Sequence, residues 1–472
     1  MKIKILIYTI ILIFFLGSLS ILFSDNEFFF NLKKKIPTSI KDPLKKTLFY
    51  IPLKVREYKV ALESSNEIEK INSQLKLLKI ENSIIKSELN RGKTEIRILK
   101  DDKNENSYKL KKIFIPFANL ETYESDKKIN QKKPGYIEIY KDTILVIFLS
   151  GKSISFKKDD LDNENIKIND IKTNLDKFVY NYEKHNGIKD IKVIDEYLYA
   201  SYTRKDFSKK NNCLNTSIVR AELKDIDKDE LFFKEFYTNN ECLIVSSNTN
   251  SKYGAAQAGG RMTYSTKKNI LYLTTGDFLN FNVAQNKKRE FGKTISINIK
   301  TLNKKIISIG HRNPQGMLIT QDEKYLIQSE HGQKGGDEIN LIKLNQNIVE
   351  NYGWPIASYS DYYGYEDYEL RKKIPFHKSH DQYGFVEPLI YFNPSIAPSQ
   401  IVLNNFSLNK NDFILSTLKH ESLLFGEIKN FEKAIINKKV YIGERIRDII
   451  PFNNKYLLFL EGSPSIAIFE KQ

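Results

Sequence analysis

Cysteine is almost missing, with two residues in 472, which excludes a scaffold stapled by disulfides, just as the length excludes a peptide-sized module. Acidic residues are outnumbered by basic ones, 58 against 74, for a formal net charge of +16. That excess would suit a nucleic acid or an acidic membrane surface, but it is unevenly spread. Residues 1–112 hold 23 Lys/Arg against 13 Asp/Glu, which leaves only +6 on the following 360 residues. The basic balance therefore belongs to the amino-terminal region, and no nucleic-acid partner is expected. Alanine is scarce beside Lys, Ile and Asn, a bias that genome base composition alone can produce. What is abundant is core material: 41% hydrophobic residues, with 27 Tyr and 29 Phe, a composition that excludes global disorder and favours strands over helices.

Lys2 and Lys4 precede an apolar run from Ile5 to Phe23. As a helix its 19 residues rise nearly 30 Å at about 1.5 Å each, enough to cross a bilayer core. The positive start and the Asp25-Asn26-Glu27 flank favour an amino terminus inside and the remainder exported. Residues 1–24 are expected to be a single-pass inner-membrane anchor, with a cleaved signal peptide as the alternative. Either way the globular part lies in the periplasm. Residues 25–60 form a juxtamembrane linker. Cys213 and Cys242 flank two strand-like runs, Ser217 to Leu223 and Leu231 to Tyr237. If the runs pair as a hairpin, the cysteines lie at its open end, where a disulfide is geometrically feasible. Two unrelated thiols remain the alternative.

From Ile68 the apolar residues fall three and four apart: Ile68, Ile71, Leu75, Leu78, then Ile85, Leu89, Ile96 and Leu99. This heptad seam predicts a coiled-coil stalk over residues 61–101. Asn82 occupies a core position, where a buried amide pair favours a parallel homodimer. One amphipathic helix lying on the globular domain is the alternative.

After Ile113 the pattern changes to alternation with turn residues between short strands. One apolar run of similar form recurs six times, beginning at Ile144, Tyr197, Ile270, Tyr325, Phe413 and Tyr456. Six copies at roughly 60 residues each fit four-stranded blades. An all-β, six-bladed β-propeller over residues 114–472, completed by an amino-terminal strand, is the expected fold; an array of two-sheet sandwiches is the alternative. If the repeated runs are the inner strands, their ends bring Asp277, Glu330 and Lys419 to one face of the channel.

The densest polar stretch reads Gly310-His311-Arg312-Asn313-Pro314-Gln315-Gly316, then Glu330-His331-Gly332-Gln333-Lys334-Gly335-Gly336-Asp337-Glu338-Ile339-Asn340, then Asn351-Tyr352-Gly353-Trp354-Pro355. It holds two of the six histidines and the single tryptophan. Each piece also has a purely structural reading, such as Arg312 paired with Asp337 or Glu338.

In this order and spacing the segments resemble the glucose/sorbosone dehydrogenase family of six-bladed quinoprotein propellers. The similarity continues through Pro394-Ser395-Ile396-Ala397-Pro398-Ser399, Lys419 and Gly443-Glu444-Arg445-Ile446-Arg447-Asp448. It is strong from about Gln257 to Glu461, faint from Ile113 to Gly254 and absent from residues 1–112. The resemblance implies pyrroloquinoline quinone (PQQ), a planar tricarboxylate, with Lys419, Arg445 and Arg447 on its carboxylates, as suits fixed cations and above all arginine. It implies Arg312 near the quinone, with polar contacts from Asn313 and Gln315. It also implies calcium (Ca2+) on backbone carbonyls of Gly332 and Gln333, acting as a Lewis acid, and Asp277 as a substrate-side carboxylate.

One departure bears on activity. The family's general-base histidine precedes a Gly-Gly-Arg-Leu-like stretch, and here Gln257 stands in that place, before Ala258-Gly259-Gly260-Arg261-Met262. An amide cannot take a proton near neutral pH. The resemblance implies a PQQ- and calcium-dependent dehydrogenase oxidising a sugar or polyol and passing electrons to an acceptor, and the apolar run from Ile5 to Phe23 implies that it is membrane-anchored. The alternative is a weakly active or inactive propeller that binds a ligand or protein. For the stalk, Asn82→Ile is expected to raise thermal stability while relaxing oligomer specificity. Light scattering in detergent that finds only monomer over a wide concentration range would contradict the dimer.

Overall fold

The computed structural model describes residues 89–115, 134–179, 186–206, 213–239, 241–244, 255–361 and 377–472, with isolated residues between 67 and 85. The chain divides into two units, residues 1–83 and 84–472. In the first, the described residues between 67 and 75 are helical, with Ile68, Ile71 and Leu75 exposed. The expected anchor, the linker and most of the stalk, Asn82 included, lie outside the described residues. Among the described residues no helix is long and apolar enough to cross a membrane.

The second unit contains six sheets, antiparallel except for one short parallel edge pair in each of two of them. Their innermost strands are Gly135–Tyr140, Ile188–Ile194, Gly259–Ser265, Pro314–Ile319, Pro398–Leu403 and Ile446–Phe452. Each packs against the next, and the last packs against the first, so the ring closes. This is a six-bladed propeller, with blades numbered one to six in that order. Blade six is built from both ends of the propeller sequence. Ser107–Phe114 pairs with Ser465–Lys471, and Thr94–Lys100 pairs with Ser107–Phe114. Two amino-terminal strands, rather than one, complete the ring.

The stalk boundary therefore moves. Residues 94–100, expected in the heptad seam, are a strand, and the propeller begins at Thr94 instead of residue 114. A turn decides this: Asp101 accepts hydrogen bonds from Glu105 N at 2.9 Å and Asn106 Nδ2 at 2.7 Å. That side-chain-to-backbone geometry sets a hairpin where heptad spacing alone implies helix.

The six repeated runs are all strands, one per blade, but they are the second strands from the channel and not the innermost. A second strand is covered on both faces by neighbouring blades; Thr143–Phe148, for example, is buried throughout. Burial on both faces gives an unbroken apolar run, the most visible kind of strand in a sequence. The hydrophobic clusters accordingly lie between blades, as where Ile137, Ile144, Val146 and Phe148 meet Leu457, Phe459 and Ile466. Because each second strand runs antiparallel to the first, its end lies beside the first strand's start. Glu330 pairs with Pro314, Thr275 with Gly259, Thr417 with Pro398 and Leu460 with Ile446. Motifs far apart in sequence thus share one face.

Cys242 is disulfide-bonded, and it is one of two cysteines in the chain. Cys213 opens the third strand of blade two, Cys213–Glu222, opposite Ile244, with its side chain outside the described set. That strand also pairs with Lys234–Tyr237, the hairpin expected from the two flanked runs.

Below the channel mouth, buried Arg261 of blade three donates to Asp190 of blade two at 2.9 Å and to Asp448 of blade six at 2.8 Å. It also donates to the Gln315 carbonyl of blade four at 2.9 Å. Asp448 accepts from Ile137 N of blade one at 3.0 Å. One guanidinium cluster thereby ties five of the six inner strands together. Arg261→Met is expected to leave two buried carboxylates uncompensated and to cost about 3–5 kcal/mol. Urea unfolding followed by circular dichroism checks this, and a loss below about 1 kcal/mol would show the cluster to be dispensable.

Candidate functional site at the channel mouth

Gln257 precedes the first strand of blade three in a left-handed conformation, φ +59°. Its carbonyl approaches Gly276 so closely that a side chain there would collide, since a Cβ would stand 1.8 Å from that oxygen. This approach sets the Gln257 amide between Asp277 and Arg312. In the orientation that satisfies both neighbours, its nitrogen donates to Asp277 Oδ1 at 2.8 Å and its oxygen accepts from Arg312 Nη2 at 2.6 Å.

Asp277 is fully buried. It accepts further hydrogen bonds from Trp354 Nε1 at 2.8 Å and Leu279 N at 2.9 Å. Burial pushes its pKa up to about 6, against the opposing pull of Arg312 and Trp354. Asp277, the expected substrate-side carboxylate, thus holds Gln257 and Trp354 from behind. Arg312 lies over the Trp354 ring at 5.3 Å and donates through Nη1 to the carbonyls of His331 at 3.1 Å and Gly332 at 2.6 Å. It is not paired with Asp337 or Glu338. Asp337 instead accepts from Ser395, Ile396, Ala397 and Gly332.

Glu330, at the end of its strand, supports Arg312 from below by accepting from the Arg312 backbone N–H. It also meets His311 Nδ1 at 2.9 Å, while His311 Nε2 lies 2.8 Å from Ser308 Oγ. His331 meets the Pro398 carbonyl through Nε2 at 2.6 Å and Asn313 Nδ2 through Nδ1 at 3.4 Å. Burial pulls its pKa down to about 4. Both of its nitrogens are occupied, so it does not replace the missing base.

Gln315 and Arg447 owe their placement to the same device. Between the first and second strands of each blade the register is interrupted near the mouth in five of the six blades. In blade four the extra residue is Gln315, and in blade six it is Arg447. A bulge re-aims a side chain that a regular pleat would turn toward the neighbouring blade. The two meet, Arg447 Nη1 donating to Gln315 Oε1 at 3.2 Å, and Gln315 Nε2 continues to Asn313 Oδ1 at 2.9 Å. Arg445 and Arg447 share one buried carboxylate, Glu461, at 2.8 and 2.6 Å. Arg445 also reaches the Leu418 carbonyl at 3.4 Å, next to Lys419. Lys419 is exposed and makes no ion pair among the described residues. Arg445, Arg447 and Lys419 thus stand together with Glu461 as the one carboxylate paired to them among the described residues.

The expected calcium carbonyls lie on the loop after His331. The Gly332 carbonyl already accepts from Arg312. Gln333 is buried, and its side-chain oxygen has no hydrogen-bond partner among the described residues. No cluster of three or more His, Cys, Asp or Glu side chains able to hold a metal occurs among the described residues.

Three residues of this region carried no role in the sequence reading. Glu461 and Arg261 lay inside recognised segments, where nothing indicated pairing. Lys189, second in the inner strand of blade two, left only the faint sign of a charge near the start of a strand.

A family model described as Glucose / Sorbosone dehydrogenase matches residues 137–468. Aldose sugar dehydrogenase YliI of Escherichia coli is 31% identical over 166 residues, 34% of this chain and 42% of that protein. Quinoprotein glucose dehydrogenase B of Acinetobacter calcoaceticus is 51% identical over 61 residues, 13% of this chain and 12% of that protein. The chain spans at most about half the length of the curated relatives it matches. Among solved structures, the soluble aldose sugar dehydrogenase of Escherichia coli in its apo-form has a TM-score of 0.58 at 18% identity, covering 80% of this chain and all of that one. The PQQ-bound form of the aldose sugar dehydrogenase of Streptomyces coelicolor has a TM-score of 0.52 at 19% identity, covering 81% and 99%. These likenesses establish a shared fold.

Burial opposes ionisation of Glu461, yet Arg447 and Arg445 outweigh it and hold its carboxyl below the usual 4.5. A depressed folded-state value gives stability that is complete above the unfolded value and is lost as pH falls through the folded one. Glu461→Gln is therefore expected to unfold more easily at pH 7 and to lose less stability than the parent below about pH 4. Denaturant titrations at both pH values check this, and parallel curves would contradict it.

Proposed function

The chain belongs to the glucose/sorbosone dehydrogenase family, and from that premise we propose that its channel mouth binds PQQ and oxidises a sugar or polyol. The observation that carries this reading is a group of three cations on one carboxylate: Arg445 and Arg447 share Glu461, and Lys419, beside the Leu418 carbonyl that Arg445 reaches, makes no ion pair among the described residues. Cations collected in this way repel one another, and a ligand with several carboxylates offsets that cost.

The residues present fit such a ligand. Arg445, Arg447 and Lys419 would hold its carboxylates, while Asn313, Gln315 and Arg312 would meet its remaining polar edge. The buried acceptor of Gln333 and the carbonyls of its loop suit a hard cation such as calcium. When bound, PQQ supplies a hydride-accepting quinone, and calcium supplies a Lewis acid beside it. The chain's own contribution is to orient. His331 and Gly332 hold Arg312 in place, and Asp277 holds Gln257 and Trp354. Gln257 binds without accepting a proton, so turnover is slow. That same residue favours the second reading, a propeller that binds a ligand or a protein without turning it over.

We also read the propeller as periplasmic and anchored to the inner membrane, with a parallel dimer through the stalk. The apolar run from Ile5 to Phe23 and the heptad seam support this. So does the disulfide at Cys242, since disulfides persist in oxidising compartments.

The test is reconstitution with PQQ and calcium chloride, followed by dye reduction across a panel of sugars. Slow reduction dependent on both additions is expected; no PQQ binding would remove the dehydrogenase reading. Gln257→His places an imidazole between Asp277 and Arg312 and is expected to raise the rate by about a hundred-fold or more, the scale of a positioned base. An unchanged rate with PQQ bound would show that another residue already removes the proton.

A further inference from the structure

The strand Ser107–Phe114 closes blade six, and one of its residues reaches toward the mouth. Lys112 lies in register with Glu95 on one side and Ala467 on the other, and it is buried. Its ammonium donates to Glu444 Oε1 and to Ser463 Oγ, the latter at 2.7 Å. Ser463 in turn donates to Glu444 Oε2 through its backbone N–H and its hydroxyl, each at 2.7 Å. The turn that carries Ser463 also carries Glu461, the carboxylate shared by Arg445 and Arg447. Between the two, Gly462 leaves room for Glu444, since a Cβ there would stand 2.9 Å from Glu444 Oε2. The turn is fixed at both ends. Glu461 N donates to the Arg445 carbonyl at 2.9 Å, and Ile115 N, just past the closing strand, donates to the Pro464 carbonyl at 3.1 Å.

Two carboxylates therefore stand near Arg445, and the structure gives them different partners. Glu461 receives both arginines, while Glu444, next to Arg445 in the chain, is taken by Lys112 and Ser463. We infer that Lys112 is a positioning residue of the anion site: by holding Glu444 it keeps a second carboxylate off Arg445 and cancels a negative charge that would oppose an incoming carboxylate. Lys112 is the one ion-pair partner of Glu444 among the described residues. Without it, Glu444 would be a mostly buried carboxylate with no cation of its own, drawn to Arg445 or left to repel the ligand, and either result weakens anion binding. No motif marks this role. Lys112 is 332 residues from Glu444, in the part of the chain where the family resemblance is absent, and only the closure of the ring brings them together.

The inference rests on the PQQ reading, and the experiment separates the two. Trp354, the single tryptophan, lies beneath Arg312, so its fluorescence reports ligand arrival without any turnover. PQQ is titrated with calcium chloride into the parent, Lys112→Met, Lys112→Arg and a double variant with Lys112→Met and Glu444→Gln, each first checked by thermal melting without ligand. The parent is expected to saturate. Lys112→Met is expected to bind at least about ten-fold more weakly, and Lys112→Arg and the double variant within about three-fold of the parent. The double variant separates the roles, because a lysine needed only for packing would not be replaced by neutralising the carboxylate it holds. Parental affinity in Lys112→Met, or a double variant as weak as Lys112→Met, would overturn the inference alone. If Lys112→Met does not fold, the double variant is compared with the parent directly, and a loss of about ten-fold there overturns the inference as well. Absence of binding in the parent would overturn the PQQ reading and the inference with it.

Discussion

The guanidinium of Arg261 is the constraint on which the channel depends. Six inner strands converge, and their convergence would leave polar groups facing one another without water. Arg261, with Asp190 and Asp448, resolves this by joining blades two, three, four and six, with blade one attached through Ile137. Burying such a group gives little net stability, but removing one partner is costly because the remaining charges stay buried. The strands above it are thereby held in register, and the mouth residues are fixed a few ångströms further along the same strands.

The mouth is built by departures from regular sheet. A regular pleat would point inner-strand side chains only at the neighbouring blades. Bulges in five blades release one residue each near the mouth, and Gln315, Arg447 and Lys189 are three of them. The second strands contribute differently, by ending at the mouth with Glu330 beneath Arg312 and Lys419 just past Thr417. Site residues thus come from strand starts and strand ends that lie far apart in the chain. The side chains at the mouth are held by buried hydrogen bonds, as a preorganised site requires.

Much of this was legible in the sequence for physical reasons. The six repeated runs counted the blades correctly because a strand covered on both faces must be apolar along its whole length. They were misplaced by one position within each blade, because the innermost strands carry Gly, Pro, Arg and Gln for the channel and so look irregular. Arg312, Asn313, Gln315, Lys419, Arg445 and Arg447 were singled out through motifs, and contacts link several of them: Arg447 with Gln315, Gln315 with Asn313, and Arg445 with the carbonyl before Lys419. Asp277 was singled out as well, but spacing could not show that it would hydrogen-bond Trp354 and Gln257. The seam was drawn through Thr94–Lys100 because heptad spacing and a twisted edge strand both place isoleucine and leucine at short intervals; only the Asp101 turn distinguishes them. Lys189 and the pairing of Arg445 and Arg447 on Glu461 depend on register and burial, which no single-sequence pattern encodes.

The central claim is that this face of the propeller is an anion site and not a set of structural ion pairs. A crystal structure of the chain grown with PQQ and calcium chloride tests it most directly. The account predicts the planar tricarboxylate at the mouth, with its carboxylates on Lys419, Arg445 and Arg447, and a cation at the Gly332–Gln333 carbonyls. A mouth holding only water, with Arg445 and Arg447 still closed on Glu461 and PQQ absent or bound elsewhere, would contradict it.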